Sequence, residues 1–156
     1  YFIAGQSVLV KSDSSIKSVS DLSGKKVCSV TGSTSVDNLK EKQPNLVPQK
    51  YDKYSECADA LASGAIEAMT TDNTILAGYA NQDAYKGKFK LVGDPFTEEK
   101  YGVGLKKGDK DTCEKVNKAI TKMVDSGEWK KAVESNLGAD FRYDTKLNPP
   151  KPAACS

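Results

Sequence analysis

Histidine is absent from this 156-residue sequence, and arginine occurs once, at Arg142. Without imidazole, Ser-His-Asp and Cys-His catalysis are excluded, and so are histidine-based metal sites. The four cysteines contain no Cys-x-x-Cys pair, which argues against a zinc site. No apolar run approaches the roughly 20 residues that a membrane-spanning helix requires. Nor does any stretch show the charged, apolar and small-residue succession of a secretion signal. The net charge of +2 is small, and the lysines are mixed with Asp and Glu, so no nucleic-acid-binding surface is indicated.

What is present points to an ordinary globular chain. Hydrophobic residues make up 38% and charged residues 28%, enough for one domain of moderate core or for parts of two. Cys28, Cys57, Cys113 and Cys155 are even in number and widely spaced. That fits two disulfides and an oxidising compartment, with three pairings open.

The most informative local stretch runs from Val30 to Asp37. An apolar run, Val27 to Val30, stops at Thr31-Gly32-Ser33-Thr34-Ser35, and an amphipathic segment with Val36 and Leu39 follows. A strand emptying through a small-residue turn into a helix leaves backbone N–H donors at the turn, suited to a carboxylate or phosphate. Gly32 lets backbone approach a ligand closely, and the hydroxyls can cap the helix or donate. A capped turn without any ligand is the plainer alternative.

The remaining pattern predicts a strand over residues 1–11 bent at Gly5, then a short capped helix over Ser18–Leu22 with Ser18 and Asp21 at capping-box spacing. Strands follow at Lys25–Val30, Leu46–Tyr51, Ile66–Thr71 and Phe89–Val92. Between them, helices are expected from Ser35 to Lys42, after a capping Asp52 up to Gly64, and from Thr74 to Tyr79. This β-α-β-α-β-α-β succession predicts an α/β fold with a mainly parallel sheet flanked by helices. In such sheets ligands bind beyond the carboxyl ends of the strands, where Thr31–Ser35 and Thr71-Asp72 would meet. Hydroxyls and N–H donors beside one carboxylate suit a zwitterion. Further on, Tyr101–Leu105 reads as a strand, Asp109 as the cap of a long helix striped by Cys113, Val116, Ile120, Met123 and Val124, and Trp129 to Leu137 as a second helix. The tail from Ala139 onward carries Pro149, Pro150 and Pro152 and reads as an extended strap.

Five stretches carry a resemblance. They are Ile16–Val27, Thr31-Gly32-Ser33-Thr34-Ser35, Ala68-Met69-Thr70-Thr71-Asp72, Tyr101–Gly108 and Gly127-Glu128-Trp129-Lys130-Lys131. Each is weak alone, but in this order and spacing the chain resembles the extracytoplasmic solute-binding proteins of ABC importers, polar amino-acid family. Within it, Cys28, Cys57 and a cysteine in the last residues resemble the actinobacterial glutamate-binding lipoproteins.

The resemblance implies a type II periplasmic-binding-protein fold, two lobes joined by hinge strands with the ligand clamped between them. Residues 1–96 would be the second lobe, 97–101 the returning hinge crossing, and 102–156 a C-terminal strand and helices of lobe one, whose N-terminal part would be lacking. It implies that Thr34 donates to the α-carboxylate of the ligand with Thr31 and Ser33 beside it. Asp72 would take the α-ammonium, and Thr71 would stand at a selector position. Arg142 does not match the family's carboxylate-binding arginine and receives no role. The implied disulfides are Cys28–Cys57 and Cys113–Cys155.

The expected function is capture of glutamate, or of aspartate, glutamine or asparagine, and its delivery to an ABC permease. No cofactor, metal or catalysis is expected. The expected location is extracytoplasmic, as a periplasmic protein or a cell-surface lipoprotein, with membrane contact only through a lipid anchor outside this chain. Two rivals are a dehydratase-like enzyme on the same scaffold and a sensory amino-acid-binding domain. The enzyme needs a placed general acid or base, for which Asp72 is almost the sole cleft candidate.

Overall fold

The computed structural model describes residues 1–155 and divides into two compact units. One is Gly5–Glu98; the other joins Tyr1–Ala4 to the chain from Glu99 onward.

In the Gly5–Glu98 unit, five strands form one sheet: β2 (Gln6–Lys11), β3 (Val27–Val30), β4 (Gln49–Tyr51), β5 (Ala68–Asp72) and β6 (Phe89–Val92). Their order is β4-β3-β5-β2-β6. Successive side chains alternate between the faces of a strand, and each inner strand splits accordingly. Val8, Val10, Val27 and Ala68 face one core with Leu22 and Leu39; Leu9, Cys28 and Met69 face another with Cys57, Leu61 and Leu76. The first is covered by α1 (Thr34–Lys42) and the 3-10 turn Val19–Leu22, the second by α2 (Tyr54–Ser63) and α3 (Asn73–Ala80). Helices therefore lie on both faces, as an α/β fold requires.

The sheet is mixed. β3 pairs parallel with β4 and β5, whereas β2 runs antiparallel to both β5 and β6. The apparent β-α-β crossover between β2 and β3 misleads, because Val19–Leu22 is only a four-residue 3-10 turn. A full crossover helix returns the chain to its starting edge and so makes a parallel strand; a short connection reverses it. Ser18 does form a capping box with Asp21 there. Asp52 is not a cap: Lys53 holds that position at the start of α2, and the Glu56 carboxylate reaches back to accept from the Asp52 N–H.

Two contacts fasten this unit on the α2 side. Cys28 is bonded to Cys57, with Cα atoms 5.8 Å apart and both residues fully buried. Tyr85 stacks on Phe89 and donates its hydroxyl to the Asp59 carboxylate. That hydrogen bond, reinforced by burial and by the charge of Asp59, pushes the Tyr85 phenol up to about 12. A phenol whose native pKa is raised stabilises the fold fully below its unfolded value of about 10 and loses that contribution as pH rises through about 12. Urea unfolding between pH 10 and 12 is expected to show stability falling more steeply in the wild-type protein than in Tyr85→Phe. Equal slopes would contradict the assignment.

In the other unit, β1 (Phe2–Ala4) pairs antiparallel with β7 (Glu99–Tyr101). The Asn148 side chain acts as a further partner of β1, accepting from the Ile3 N–H and donating to the Ile3 carbonyl, both at 2.8 Å. Trp129, on α5 (Glu128–Leu137), stacks on Phe2 and donates to the Tyr1 carbonyl at 2.9 Å. Asp109 caps α4 (Lys110–Asp125), accepting from the Thr112 N–H. Cys155 is bonded to Cys113 and so ties the tail to α4. The strand expected over Tyr101–Leu105 ends at Tyr101: β7 pairs only with the three residues of β1, and Gly102–Leu105 is exposed. The apolar stripe on α4 is only half-buried: Val124 packs against the cluster of Phe2, Ala4 and Trp129, Cys113, Val116 and Ile120 are partly covered, and Met123 is exposed.

Candidate functional site

β3 and β5 run parallel with Val27 opposite Ala68 and Cys28 opposite Met69. Continuing that register sets Thr31 level with Asp72 at the carboxyl edge of the sheet. There the chain leaves β3 through Gly32, whose φ of +73° is a left-handed conformation that glycine adopts without steric cost. A Cβ at Gly32 would meet nothing within 4 Å, so this side of the turn is open.

Ser33 occupies the cap position of α1, yet its side chain makes no capping hydrogen bond. Its Oγ turns back to donate to the Val30 carbonyl at 2.8 Å. The Ser33 hydroxyl is therefore not the acceptor for the first N–H groups of α1, which lie at the positive end of the helix dipole; of these, the Val36 N–H donates to the Ser33 carbonyl at 3.2 Å. Thr34 opens the helix and is exposed. Thr31 is exposed as well, but its hydroxyl donates to the Tyr51 carbonyl on the β4 side at 3.2 Å.

Across from this turn, Asp72 closes β5 and stands half-buried at the cap position of α3, again with no side-chain capping bond. Thr71 is only 2% exposed. Ser35 Oγ donates to Thr71 Oγ1 at 3.3 Å, and this bond ties the first turn of α1 directly to the end of β5. The structure thus brings Ser33, Thr34, Thr71 and Asp72 to one edge, with Thr31 beside them but turned to β4.

Beneath this edge lies a buried polar web that sequence reading does not anticipate. Gln6 is fully buried and bonds Ser35, Thr70 and Asn38 through its carboxamide. Ser29 Oγ donates to the Thr70 carbonyl at 3.1 Å. Asn73 donates its N–H to the Gly5 carbonyl at 2.8 Å and accepts from the Gly5 N–H through Oδ1 at 3.3 Å. Gly5 has to be glycine, since a Cβ there would fall 2.4 Å from the Thr97 carbonyl oxygen. The available signal was polar residues at the edge of apolar strands, Gln6 before Val8-Leu9-Val10 and Thr70 after Ala68-Met69. Buried polar groups at such places require partners.

Among the described residues no group of three or more His, Cys, Asp or Glu could hold a metal ion. No helix there is long and apolar enough to cross a membrane.

No family model matches the chain. It is 41% identical over 147 residues to the glutamate-binding protein GluB of Corynebacterium glutamicum, covering 90% of this chain and 49% of that protein. It is 44% identical over 130 residues to the ABC transporter glutamine-binding protein GlnH of Bacillus subtilis, covering 83% and 46%. Among solved structures, an ancestral cationic amino-acid solute-binding protein matches with a TM-score of 0.78 at 33% identity, over 88% of this chain and 59% of that one. An ancestral arginine-binding protein bound to glutamine matches with a TM-score of 0.68 at 39% identity, over 88% and 61%. The chain spans about half the length of these curated relatives.

Proposed function

We propose that this chain, similar over the stretch it spans to amino-acid solute-binding proteins, is part of one and binds a polar α-amino acid for an ABC importer. The observation that carries the reading is the Ser35–Thr71 bond, which sets the open N-terminus of α1 beside the Asp72 carboxylate. The two ends of a zwitterion match the two sides of that edge. The α-carboxylate is held by N–H groups at the start of α1 with the hydroxyls of Ser33 and Thr34; Asp72 holds the α-ammonium. Thr31 contributes at the rim, and Thr71, being buried, acts through Ser35.

Glutamate is the first choice of ligand, because a relative of 41% identity is named for binding it. Aspartate, glutamine and asparagine share the same α-groups. In the same reading residues 1–96 are the second lobe, 97–101 the returning crossing, and 102–156 part of lobe one. Arg142, which donates to the Ala139 and Phe141 carbonyls, holds no ligand. The two disulfides fit an extracytoplasmic site of action, in the periplasm or on the cell surface under a lipid anchor outside this chain. Delivery goes to a membrane permease, and no catalysis is assigned.

A ligand present at a hundred times its Kd stabilises a folded protein by about 2.7 kcal/mol. Thermal unfolding of the full-length protein with each of the four amino acids is expected to give a raised midpoint with at least one, glutamate first. An unchanged midpoint with all four contradicts the reading.

A further inference from the structure

We propose that Gln6 is the positioning residue of this edge, its side chain holding the first turn of α1 and the end of β5 in register by donating at one end and accepting at the other. The inference rests on the amino-acid-binding reading above and assigns a role to a residue that touches no ligand, since Gln6 is 0% exposed. Gln6 Nε2 donates to the Ser35 carbonyl at 2.9 Å and to Thr70 Oγ1 at 3.0 Å, while Oε1 accepts from Asn38 Nδ2 at 3.0 Å.

The orientation of the amide follows from its partners. A backbone carbonyl can only accept, so the nitrogen end must face Ser35. Thr70 Oγ1 donates its own proton to the Ser7 carbonyl at 2.7 Å and therefore offers Gln6 a lone pair. The site requires two donors on one atom and an acceptor on the other. An ionised carboxylate supplies no donor, a thioether supplies none either, and asparagine is one methylene short.

Gln6 is also fixed from behind: its N–H donates to Thr97 Oγ1 and its carbonyl accepts from the Phe96 N–H, both at 2.9 Å. In the ladder it stands opposite Asp72. One residue thus holds the Ser35 carbonyl on α1, the Thr70 hydroxyl on β5, and the strand position facing the carboxylate. Because Ser35 in turn bonds Thr71, loosening Gln6 frees both halves of the zwitterion site together.

The test uses the full-length protein with two readouts: amide chemical shifts of Thr34, Ser35 and Asn73 without ligand, and glutamate affinity by titration from pH 5 to 9. Gln6→Met is expected to move those amides and weaken glutamate at least tenfold at every pH. Gln6→Glu is expected to match it at high pH and recover to within threefold of wild type as the buried carboxyl takes a proton. The neutral acid donates to Ser35 while still accepting from Asn38. Should Gln6→Met fail to fold, Thr70→Val removes one partner at constant shape and is expected to shift the Ser35 amide and weaken glutamate several-fold. Wild-type affinity in Gln6→Met, a pH-independent deficit in Gln6→Glu, or an unmoved Ser35 amide in Thr70→Val overturns the proposal. If the wild-type protein binds none of the four amino acids while the amides shift as described, the ligand reading fails and the role of Gln6 stands.

Discussion

Asp72→Asn is expected to weaken binding of the amino acid roughly a hundredfold. An ammonium paired with a carboxylate in a partly dehydrated site gains a charge-assisted hydrogen bond, and removing one partner strands the other charge. Such losses are on the order of 3 kcal/mol, and each 1.4 kcal/mol is a factor of ten in Kd. Asparagine keeps the size and an oxygen acceptor, so the change isolates the charge. Titration calorimetry of the variant beside the wild type checks this. A change of less than fivefold would remove Asp72 from the ammonium site.

The second large effect concerns the Cys28–Cys57 disulfide, which closes a separation of 29 residues. In the chain-entropy account a loop of that size contributes about 3.5 kcal/mol by restricting the unfolded chain. The double variant Cys28→Ala, Cys57→Ala is expected to lose about that much in urea unfolding followed by circular dichroism. A loss below about 1 kcal/mol would contradict the entropic account. The bridge joins β3 to α2 inside the core, whereas Cys113 and Cys155 are only half-buried. Thiolate attack requires access to sulfur, so a mild reductant is expected to open Cys113–Cys155 first. Mass mapping of alkylated thiols at partial reduction reads the order.

The outline of the βα edge was legible because it depends on local pattern. The apolar run ending at Val30, the Gly32 turn and the amphipathic spacing of Val36 and Leu39 fall within a dozen residues, and α1 begins at Thr34. The direction of β2 was not legible, since the sequence shows a capped helical signal at Ser18–Leu22 without showing that it is too short to carry the chain back. Gly102–Leu105 misled differently: its residues suit a strand, but a ladder needs a partner, and β1 supplies only three residues. The web around Gln6 was invisible for a third reason. Its partners Ser35 and Thr70 are 29 and 64 residues away, and nothing in a single strand records which distant polar groups will meet it. Periodicity reports which face of an element is buried, and long-range polar pairing has no such period.

The central claim is that one edge of the Gly5–Glu98 unit recognises both charged groups of an α-amino acid. The most direct measurement is a calorimetric titration of the full-length protein with glutamate, with N-acetylglutamate and with glutamate α-amide. Binding by glutamate, with at least a thirtyfold loss for each derivative, is the predicted result. Equal binding of the N-acetyl compound would contradict it, because Asp72 would then face no ammonium.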